Sequence, residues 1–446
     1  MTDRAPTDNE QLEQANRPAE EAMRLHPFYR GKIEVVPRCR IRDIHDFALW
    51  YTPGVAAPCM DIHHHPERVF DHCARGNLIA IVSDGTRVLG LGNIGPAAGL
   101  PVMEGKSLLF KYLGGVDAVP LCIDANSAGD IINFVKMVQP TFGGINLEDI
   151  EKPRCFKVLD TLRKEASIPV WHDDQQGTAA VTLAALINAA KIVNKPLHRL
   201  RIGMLGVGAS NQRIAIMLAE AGVDPLLTCL CDTKGVVVKG REDLARDPWK
   251  SHLADITNGE QRSGGPEAAF DGADVMIALS SPGPETVKPE WIRSMNKDAI
   301  VFACANPVPE IWPWEAKKAG ARIVATGRSD FPNQVNNSLG FPGIFRGTLD
   351  VMATTITDEM CIAAARELAK VAQDRGISED YLIPTMDEWE VFPREAVAVG
   401  QKAIEQGIAR RPLSPSEAFA LADTTIRRAR ADLAMRMKEG FVKDPG

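Results

Sequence analysis

Residues 199–232 read RLRIGMLGVGASNQRIAIMLAEAGVDPLLTCLCD, and this stretch determines how the second half of the chain folds. Its apolar runs predict a strand over 200–205, a helix from about Asn211 and a second strand over 226–231, which together make a βαβ unit. The glycine-rich turn before the helix would let a pyrophosphate approach the helix N-terminus. Asp232 ends the second strand, where it can accept a hydrogen bond from a ribose 2′-hydroxyl.

Three later apolar runs extend this pattern, over residues 273–280, 299–306 and 322–327. Each ends in a small or polar residue, as expected for strands whose carboxyl ends meet a ligand at one edge of a parallel sheet. We therefore predict a Rossmann-like parallel sheet that binds a dinucleotide. Its predicted cofactor-binding residues are Gly206, Gly208, Ser210, Asn211, Asp232, Ser280 and Asn306.

A second glycine-rich motif competes for the same role. Gly90, Gly92 and Gly95 spell GxGxxG in full, whereas the βαβ turn reads GVGASN. Pro96 and the run over 99–101 follow the first motif directly, and such residues are expected to interrupt a helix. The other turn is followed by an uninterrupted helical pattern. The dinucleotide is therefore assigned to the βαβ turn.

An acidic stretch precedes this domain, beginning at Asn146 and reading NLEDIEKPRCFKVLDTLRKEASIPVWHDDQQGTA. It places Glu148 and Asp149 before an amphipathic helix, and Asp173 and Asp174 after a short predicted strand. Carboxylates held close together repel one another and are costly to desolvate, so such a cluster usually implies a cation. A hard divalent ion bound through oxygen would relieve that cost. The alternative is that each pair caps a helix or lies solvated on the surface.

The rest of the first half predicts alternating strands and helices. Residues 32–36 predict a strand, residues 77–92 a β-hairpin with an Asp-Gly turn, and residues 118–124 a further strand. Residues 177–194 predict a long, apolar helix suited to burial between two domains. Beyond Asp350 the chain is almost wholly helical in pattern.

Composition excludes several classes of protein. A net charge of -7 over 446 residues, without a basic stripe, argues against nucleic-acid binding. No apolar run approaches the length of roughly 18 residues that a membrane span needs. The first 25 residues are polar, so no secretory signal is expected. Nine scattered cysteines, an odd number, indicate reduced thiols and a cytoplasmic location.

Six motifs occur in a characteristic order. They are YTPG from Tyr51, GLGNIG…PVMEGK, NLEDI, HDDQQGTA, CANP and NNSLGFPGIFRG. With them the sequence closely resembles the malic enzymes, particularly the short bacterial branch without an acyltransferase-like domain, over roughly residues 30–430. The resemblance implies oxidative decarboxylation of (S)-malate to pyruvate and CO2, with NAD or NADP and Mg²⁺ or Mn²⁺. It also implies a homodimer or higher homo-oligomer.

The fold implied is α/β, with an N-terminal α/β domain of the malic-enzyme type, a Rossmann-like parallel-sheet NAD(P)-binding domain and C-terminal helices. We predict a polar lead-in over residues 1–30 and a metal- and substrate-binding domain over 31–176. The Rossmann domain is predicted over 177–350, and a helical segment that packs on the core over 351–446.

The resemblance also implies a role for each residue that a motif matches. Lys106 would be the general base, Tyr51 the general acid, and Asp173 a carboxylate that assists proton transfer. The implied metal ligands are Glu148, Asp149 and Asp174, and the implied substrate-binding residues are Asn306 and Asn337. The chemistry needs such groups, because a base near neutrality must take the hydroxyl proton and a divalent ion can stabilise the enolate left by loss of CO2. Apolar neighbours or other cations would lower the pKa of the lysine toward neutrality.

Two departures from the family pattern leave alternatives open. Arg87 stands where most short bacterial members have a small residue, and it is a candidate for binding a substrate carboxylate. Asp232 should repel a 2′-phosphate and favour NAD, but Lys234, Lys239 and Arg241 are close in sequence and could favour NADP. A non-redox malolactic decarboxylase, a dehydrogenase for a substituted malate and a catalytically silent dinucleotide-binding regulator remain the alternative functions.

Overall fold

The computed structural model describes residues 8–446, with side chains from Arg17 onward. Two compact units are present in the described chain, one made of residues up to Ala74 together with Arg428–Gly446, and the other of Arg75–Arg427. Among the described residues, no helix is both long enough and apolar enough to cross a bilayer.

The smaller unit is helical. Up to Ala74 its α-helices are α1 (Asp8–Tyr29), α2 (Phe47–Trp50), α3 (Ala56–His64) and α4 (Val69–His72). The predicted strand over residues 32–36 is wrong, because this segment is irregular and Val35 is fully exposed. A strand needs a neighbouring strand to satisfy its backbone groups, and none of the described residues before Leu78 supplies one.

The first sheet of the larger unit has four parallel strands in the order β2-β1-β3-β4. The strands are β1 (Leu78–Ser83), β2 (Asp117–Cys122), β3 (Gly144–Leu147) and β4 (Val170–His172). The helices that follow them are α5 (Pro96–Gly114), α6 (Ala128–Val138), α7 (Arg154–Glu165) and α8 (Thr178–Ile192). The carboxyl ends of β3 and β4 therefore lie side by side.

Two predictions about this half are wrong. The hairpin over residues 77–92 is not formed, because β1 is a central strand that pairs with parallel partners on both sides. The Asp-Gly turn exists, but the chain after it makes only an isolated bridge from Val88 to Gly92. Nor do the prolines interrupt the next helix, since α5 begins at Pro96, where no N–H is needed, and continues past Pro101.

The second sheet has six strands in the order β10-β9-β8-β5-β6-β7 and is parallel except for the short pair β6–β7. Its strands are β5 (Ile202–Leu205), β6 (Thr228–Asp232), β7 (Gly235–Val236), β8 (Val275–Ala278), β9 (Ala299–Ala303) and β10 (Ala321–Thr326). The predicted α/β class and Rossmann-like sheet are confirmed. The two-residue strand β7 was not predicted.

The remaining helices lie between the strands of the second sheet or follow them in the chain. They are α9 (Ala209–Glu220), α10 (Pro248–Ile256), α11 (Glu267–Phe270), α12 (Pro289–Arg293), α13 (Pro313–Lys318), α14 (Phe341–Asp350), α15 (Asp358–Arg375), α16 (Val391–Glu405) and α17 (Pro415–Lys438). The predicted helical C-terminus is confirmed. One hydrophobic cluster joins β1, the almost wholly buried α8 and β5, so the two sheets share a core.

Candidate active site

The four acidic residues lie at one edge of the first sheet. Glu148 and Asp149 follow β3, and Asp173 and Asp174 follow β4, which pairs with β3 in parallel. The second pair opens a short π-helical turn, Asp173–Gly177, that leads into α8. Turns of this kind occur often at functional sites. Strand pairing therefore brings together two acidic pairs that are 25 residues apart in the chain, as from Asp149 to Asp174.

Three of these carboxylates form a compact set of oxygen ligands. Glu148, Asp149 and Asp174 each offer an oxygen, and the three oxygens lie within 4.8 Å of one another. Asp149 Oδ2 is buried and has no hydrogen-bond partner. Burial and the neighbouring Asp174 raise the pKa of Asp149 to about 8. Carboxylate oxygens in this arrangement, one of them without a partner, fit a hard divalent cation.

Asp149 is held in an unusual backbone conformation. Its φ of 55° lies in the left-handed region, which aspartate and asparagine tolerate better than most residues. Its N–H donates to Asp174 Oδ2 at 3.0 Å, and its carbonyl accepts from the N–H of Arg87 at 3.0 Å. This turn directs the two carboxylates toward the same point.

Lys106 reaches the cluster from α5. Its Nζ donates to Asp173 Oδ2 at 2.5 Å, lies 3.1 Å from Glu148 Oε1, and is 4.4 Å from the centre of the Phe341 ring. Burial alone would lower the pKa of Lys106, but the charges of Asp173 and Glu148 outweigh it and raise the pKa above its usual value. The sequence predicted a lowered pKa for Lys106. That prediction is wrong for the protein without bound ligands, because carboxylates and not cations surround this amine.

Asp173 is fully buried and faces Lys106. Its Oδ1 accepts from the Trp171 indole N–H at 3.3 Å. Gly177 packs against it so closely that a Cβ there would lie 2.1 Å from Oδ1 and 3.2 Å from the Cβ of Asn337. Asn337 therefore stands beside the Lys106–Asp173 pair. The requirement for glycine at position 177 was missed, because the residue also reads as an ordinary turn glycine.

The loop that carries Arg87 lies beside the carboxylates. The side chain is exposed, and its Nη1 donates to the Leu89 carbonyl at 2.9 Å. Burial raises the pKa of Asp174, and the charge of Arg87 opposes part of that rise. Farther along the loop, a Cβ at Gly90 would lie 2.3 Å from the carbonyl oxygen of Asn306. Gly90 thus allows the loop after β9 to approach, and this is a physical reason for one glycine of the GxGxxG motif.

The βαβ turn lies at the carboxyl edge of the second sheet. Gly206 has a φ of 91°, and a Cβ there would lie 2.5 Å from the Leu279 carbonyl and 3.2 Å from Ser280 Cβ. Nothing lies within 4 Å of the Cβ position at Gly208, at the start of α9. A phosphate could approach the backbone at Gly208, whereas Gly206 packs the turn against the loop after β8.

Two polar residues near this turn differ in burial. The Asn211 side chain is buried, and its amide donates to the carbonyls of Leu205 and Gly206 at 2.8 Å each. Asn211 therefore holds the turn closed. Ser210 is half-buried at the second position of α9. Lys152, which the sequence did not single out, donates to the Val207 carbonyl at 2.8 Å and so joins the acidic loop to the turn.

Asp232 ends β6 and is neutralised by two cations. Arg241 Nη2 and Lys250 Nζ both contact its Oδ2, at 2.8 and 2.6 Å. Burial raises the pKa of Asp232, but these two bonds outweigh it and hold the pKa well below its usual value. The Lys234 side chain, which by sequence could favour NADP, lies 3.3 Å from Asp243. Lys250 was missed because it is 18 residues from Asp232.

Tyr51 belongs to the smaller unit, where it follows α2. It is 69% exposed. Its backbone N–H donates to the Phe47 carbonyl, and its own carbonyl accepts from the Val55 N–H.

The sequence matches two family descriptions. Residues 30–163 match "Malic enzyme, N-terminal domain", and residues 175–404 match "Malic enzyme, NAD binding domain". The chain is 47% identical over 398 residues to a bifunctional malic/malolactic enzyme of Bacillus subtilis, covering 89% of this chain and 96% of that protein. It is 44% identical over 385 residues to an NAD-dependent malic enzyme of Geobacillus stearothermophilus, covering 86% and 79% of the two chains.

Solved structures are similar as well. A malic enzyme of Entamoeba histolytica superposes with a TM-score of 0.96 and 47% identity, covering 99% of this chain and 93% of that one. A malic enzyme of Pyrococcus horikoshii superposes with a TM-score of 0.90 and 47% identity, covering 95% and 99%. By sequence alone, the chain is also 42% identical over 397 residues to an NADP-dependent malic enzyme of Halomonas elongata, covering 86% of this chain and 92% of that protein.

Proposed function

The chain belongs to the malic enzyme family, and from that premise we propose that it catalyses metal-dependent oxidative decarboxylation of (S)-malate to pyruvate and CO2, with reduction of NAD or NADP. One observation carries the proposal. The carboxylates of Glu148, Asp149 and Asp174 converge beside a buried pair, Lys106 and Asp173. A divalent-cation site next to a proton carrier is what this reaction requires.

Each group in the site then has a proposed task. A divalent ion held by Glu148, Asp149 and Asp174 would supply Lewis-acid polarisation of the oxygen on C2 of the substrate, and the dinucleotide would accept the hydride. Lys106 takes the hydroxyl proton. It must first lose its own proton, and Asp173, 2.5 Å away, is positioned to receive it.

Substrate binding and the final proton transfer involve further residues. We assign Arg87 and Asn337 to the substrate, since Arg87 has an exposed guanidinium beside the acidic cluster and Asn337 adjoins Asp173 through Gly177. Asn306, at the edge of the second sheet, is assigned to substrate and dinucleotide together. Tyr51 is the proposed acid that protonates C3 of the enol to give pyruvate.

The assembly we propose is a homodimer. The smaller unit exposes several large apolar side chains within residues 33–50, and contiguous apolar surface of this kind is typical of protein interfaces. They include Ile33, Val35, Val36, Ile44, Phe47, Leu49 and Trp50. A cytoplasmic location and the domain limits 31–176, 177–350 and 351–446 are part of the same proposal.

The decisive test is a turnover assay with purified protein. We expect malate to reduce NAD or NADP and to yield pyruvate with Mg²⁺ or Mn²⁺ present, and EDTA to stop both. Lactate without net reduction of dinucleotide would indicate a malolactic reaction instead, an alternative suggested by the name of the Bacillus relative. Dinucleotide binding without any product would indicate a regulator and would refute the proposal.

The environment of Asp232 leads to a prediction about cofactor choice. Replacing Lys250 with methionine leaves Asp232 with Arg241 alone and makes this edge more negative by one charge. We expect the KM for NADP to rise about tenfold, because a 2′-phosphate would meet an edge that has lost the positive charge of Lys250. The KM for NAD should change by less than about threefold. Steady-state kinetics with both dinucleotides provide the measurement.

The matched control for this prediction is Lys234→Met, which removes an exposed lysine paired with Asp243. It should leave the ratio of the two KM values nearly unchanged. Equal increases for NAD and NADP in Lys250→Met would contradict the proposed role, because a general loss of local structure affects both dinucleotides alike.

A further inference from the structure

Glu310 is a fully buried carboxylate that the proposed reaction does not use. It lies between β9 and α13, in the segment Ala305-Asn306-Pro307-Val308-Pro309-Glu310. Buried carboxylates are rare unless a cation or hydrogen-bond donors satisfy them. No cation forms an ion pair with Glu310 among the described residues, so hydrogen-bond donors must account for its position.

Both carboxylate oxygens accept bonds from loops at the carboxyl edge of the second sheet. Oε1 accepts from the Ser280 N–H at 2.8 Å and from the Ser280 hydroxyl at 3.3 Å, after β8. Oε2 accepts from the Ala305 N–H at 3.0 Å, after β9. The Glu310 carbonyl accepts from the N–H of Val287 at 2.9 Å. One side chain therefore joins the ends of two neighbouring strands.

These two loops form part of the predicted dinucleotide cleft. Ser280 packs against the βαβ turn, since a Cβ at Gly206 would lie 3.2 Å from Ser280 Cβ. Asn306, which follows the bonded Ala305, lies against Gly327 at the end of β10. A shift of either loop would move groups assigned to the cofactor.

We propose that Glu310 is a positioning residue for the dinucleotide, which fixes the loops after β8 and β9 by accepting from Ser280 and Ala305 at the same time. The inference rests on the proposed function only for the identity of the ligand. Glutamine cannot replace this carboxylate fully, because one end of its amide is a donor and would face an N–H of one loop. The geometry thus requires two acceptors.

The ionisation of Glu310 provides an independent readout. Burial raises the pKa of Glu310 to about 7. Below that pH the protonated group has one oxygen that donates, so it no longer accepts fully from both loops. Dinucleotide affinity should therefore fall as the pH decreases from about 8 to about 6. The titratable neighbour is the Cys304 thiol, whose pKa burial and Glu310 raise, so the thiol stays neutral over this range.

The test measures the binding of NADH and NADPH to the full-length protein, with fluorescence as the signal and without malate or metal. In Glu310→Gln the dissociation constant at pH 8 should rise about tenfold, a loss typical of a hydrogen bond to a charged group. The wild type should bind more weakly at pH 6 than at pH 8, and the variant should lose most of that dependence.

The control is Glu395→Gln on α16, which makes the same change at an equally buried carboxylate whose oxygens have no hydrogen-bond partner. It should leave the dissociation constant and its pH dependence unchanged. Wild-type affinity in Glu310→Gln, the same pH dependence in both proteins, or no dinucleotide binding by the wild type would each overturn the inference. Because neither malate nor metal is present, a protein that binds dinucleotide but fails to oxidise malate would refute only the proposed function.

Discussion

Replacing Asp149 with asparagine is expected to lower metal-dependent turnover by about a thousandfold or more, the equivalent of roughly 4 kcal/mol of transition-state stabilisation. The substitution keeps the size of the side chain and tolerates the left-handed backbone at φ 55°. It replaces one of the three converging carboxylates with a neutral amide. The buried Oδ2 of that carboxylate has no hydrogen-bond partner in the protein. The fold is therefore kept while the affinity for the cation is lost.

A second measurement separates loss of metal from loss of fold. Adding Mn²⁺ should raise the melting temperature of the wild type, because a ligand that binds only the folded state stabilises it, and should not raise that of Asp149→Asn. NADH binding without metal should stay within about threefold of the wild type. Asp160→Asn, an exposed aspartate on α7, is the control and should resemble the wild type throughout. Normal turnover in Asp149→Asn would exclude Asp149 as an essential ligand.

The sequence could predict those parts of the fold that local patterns determine. The βαβ unit over residues 199–232 was found with β5, α9 and β6 in place, because continuous apolar runs mark buried parallel strands. The same rule placed Asp173 and Asp174 directly after β4. Their meeting with Glu148 and Asp149 depends only on β3 and β4 being neighbours.

The pairing of the strands could not be predicted from local patterns. The Asp84-Gly85 turn is real, with Gly85 at a φ of 67°, but it does not lead to a returning strand. β1 is buried on both faces, and its partners β2 and β3 come from later in the chain. Local turn signals cannot reveal such long-range choices. For the same reason α5 extends through Pro101, because its burial outweighs the loss of one helical hydrogen bond.

In the candidate site, the participating residues were easier to predict from the sequence than the side chains that surround them. The residue types at Lys106 and Asp232 suggested roles, but their partners lie 67 and 18 positions away. Those partners reverse the expected effect on the pKa of Lys106 and change the charge balance at Asp232. Glu310 had no distinctive pattern of its own, since one glutamate after two prolines reads as an exposed loop. Such contacts arise only when separate strand ends meet.

Lys106→Met is the substitution for which we expect both activity and stability to change strongly. Turnover should fall by roughly a thousandfold, within the range for loss of a general base. The variant leaves Asp173 and Glu148 buried without their cation, and breaking a buried pair in this way costs about 3–5 kcal/mol. Chemical denaturation of the metal-free protein and initial rates with saturating malate measure the two effects. Lys111→Met, which removes an exposed ion pair between the same helix and Asp117 on β2, should change neither by much.

The double variant Lys106→Met with Asp173→Asn separates the two contributions of this pair. If the stability loss comes from the uncompensated charge on Asp173, neutralising that charge should recover a large part of it, because contacting residues have non-additive effects. Turnover should not recover, since neither the base nor the group that receives its proton remains. The double variant could instead lose the sum of the unfolding free energies that the two single variants lose. That result would show that Lys106 stabilises the fold through its packing against Phe341 and not through Asp173. Recovery of stability without turnover is what distinguishes a proton carrier from a structural ion pair.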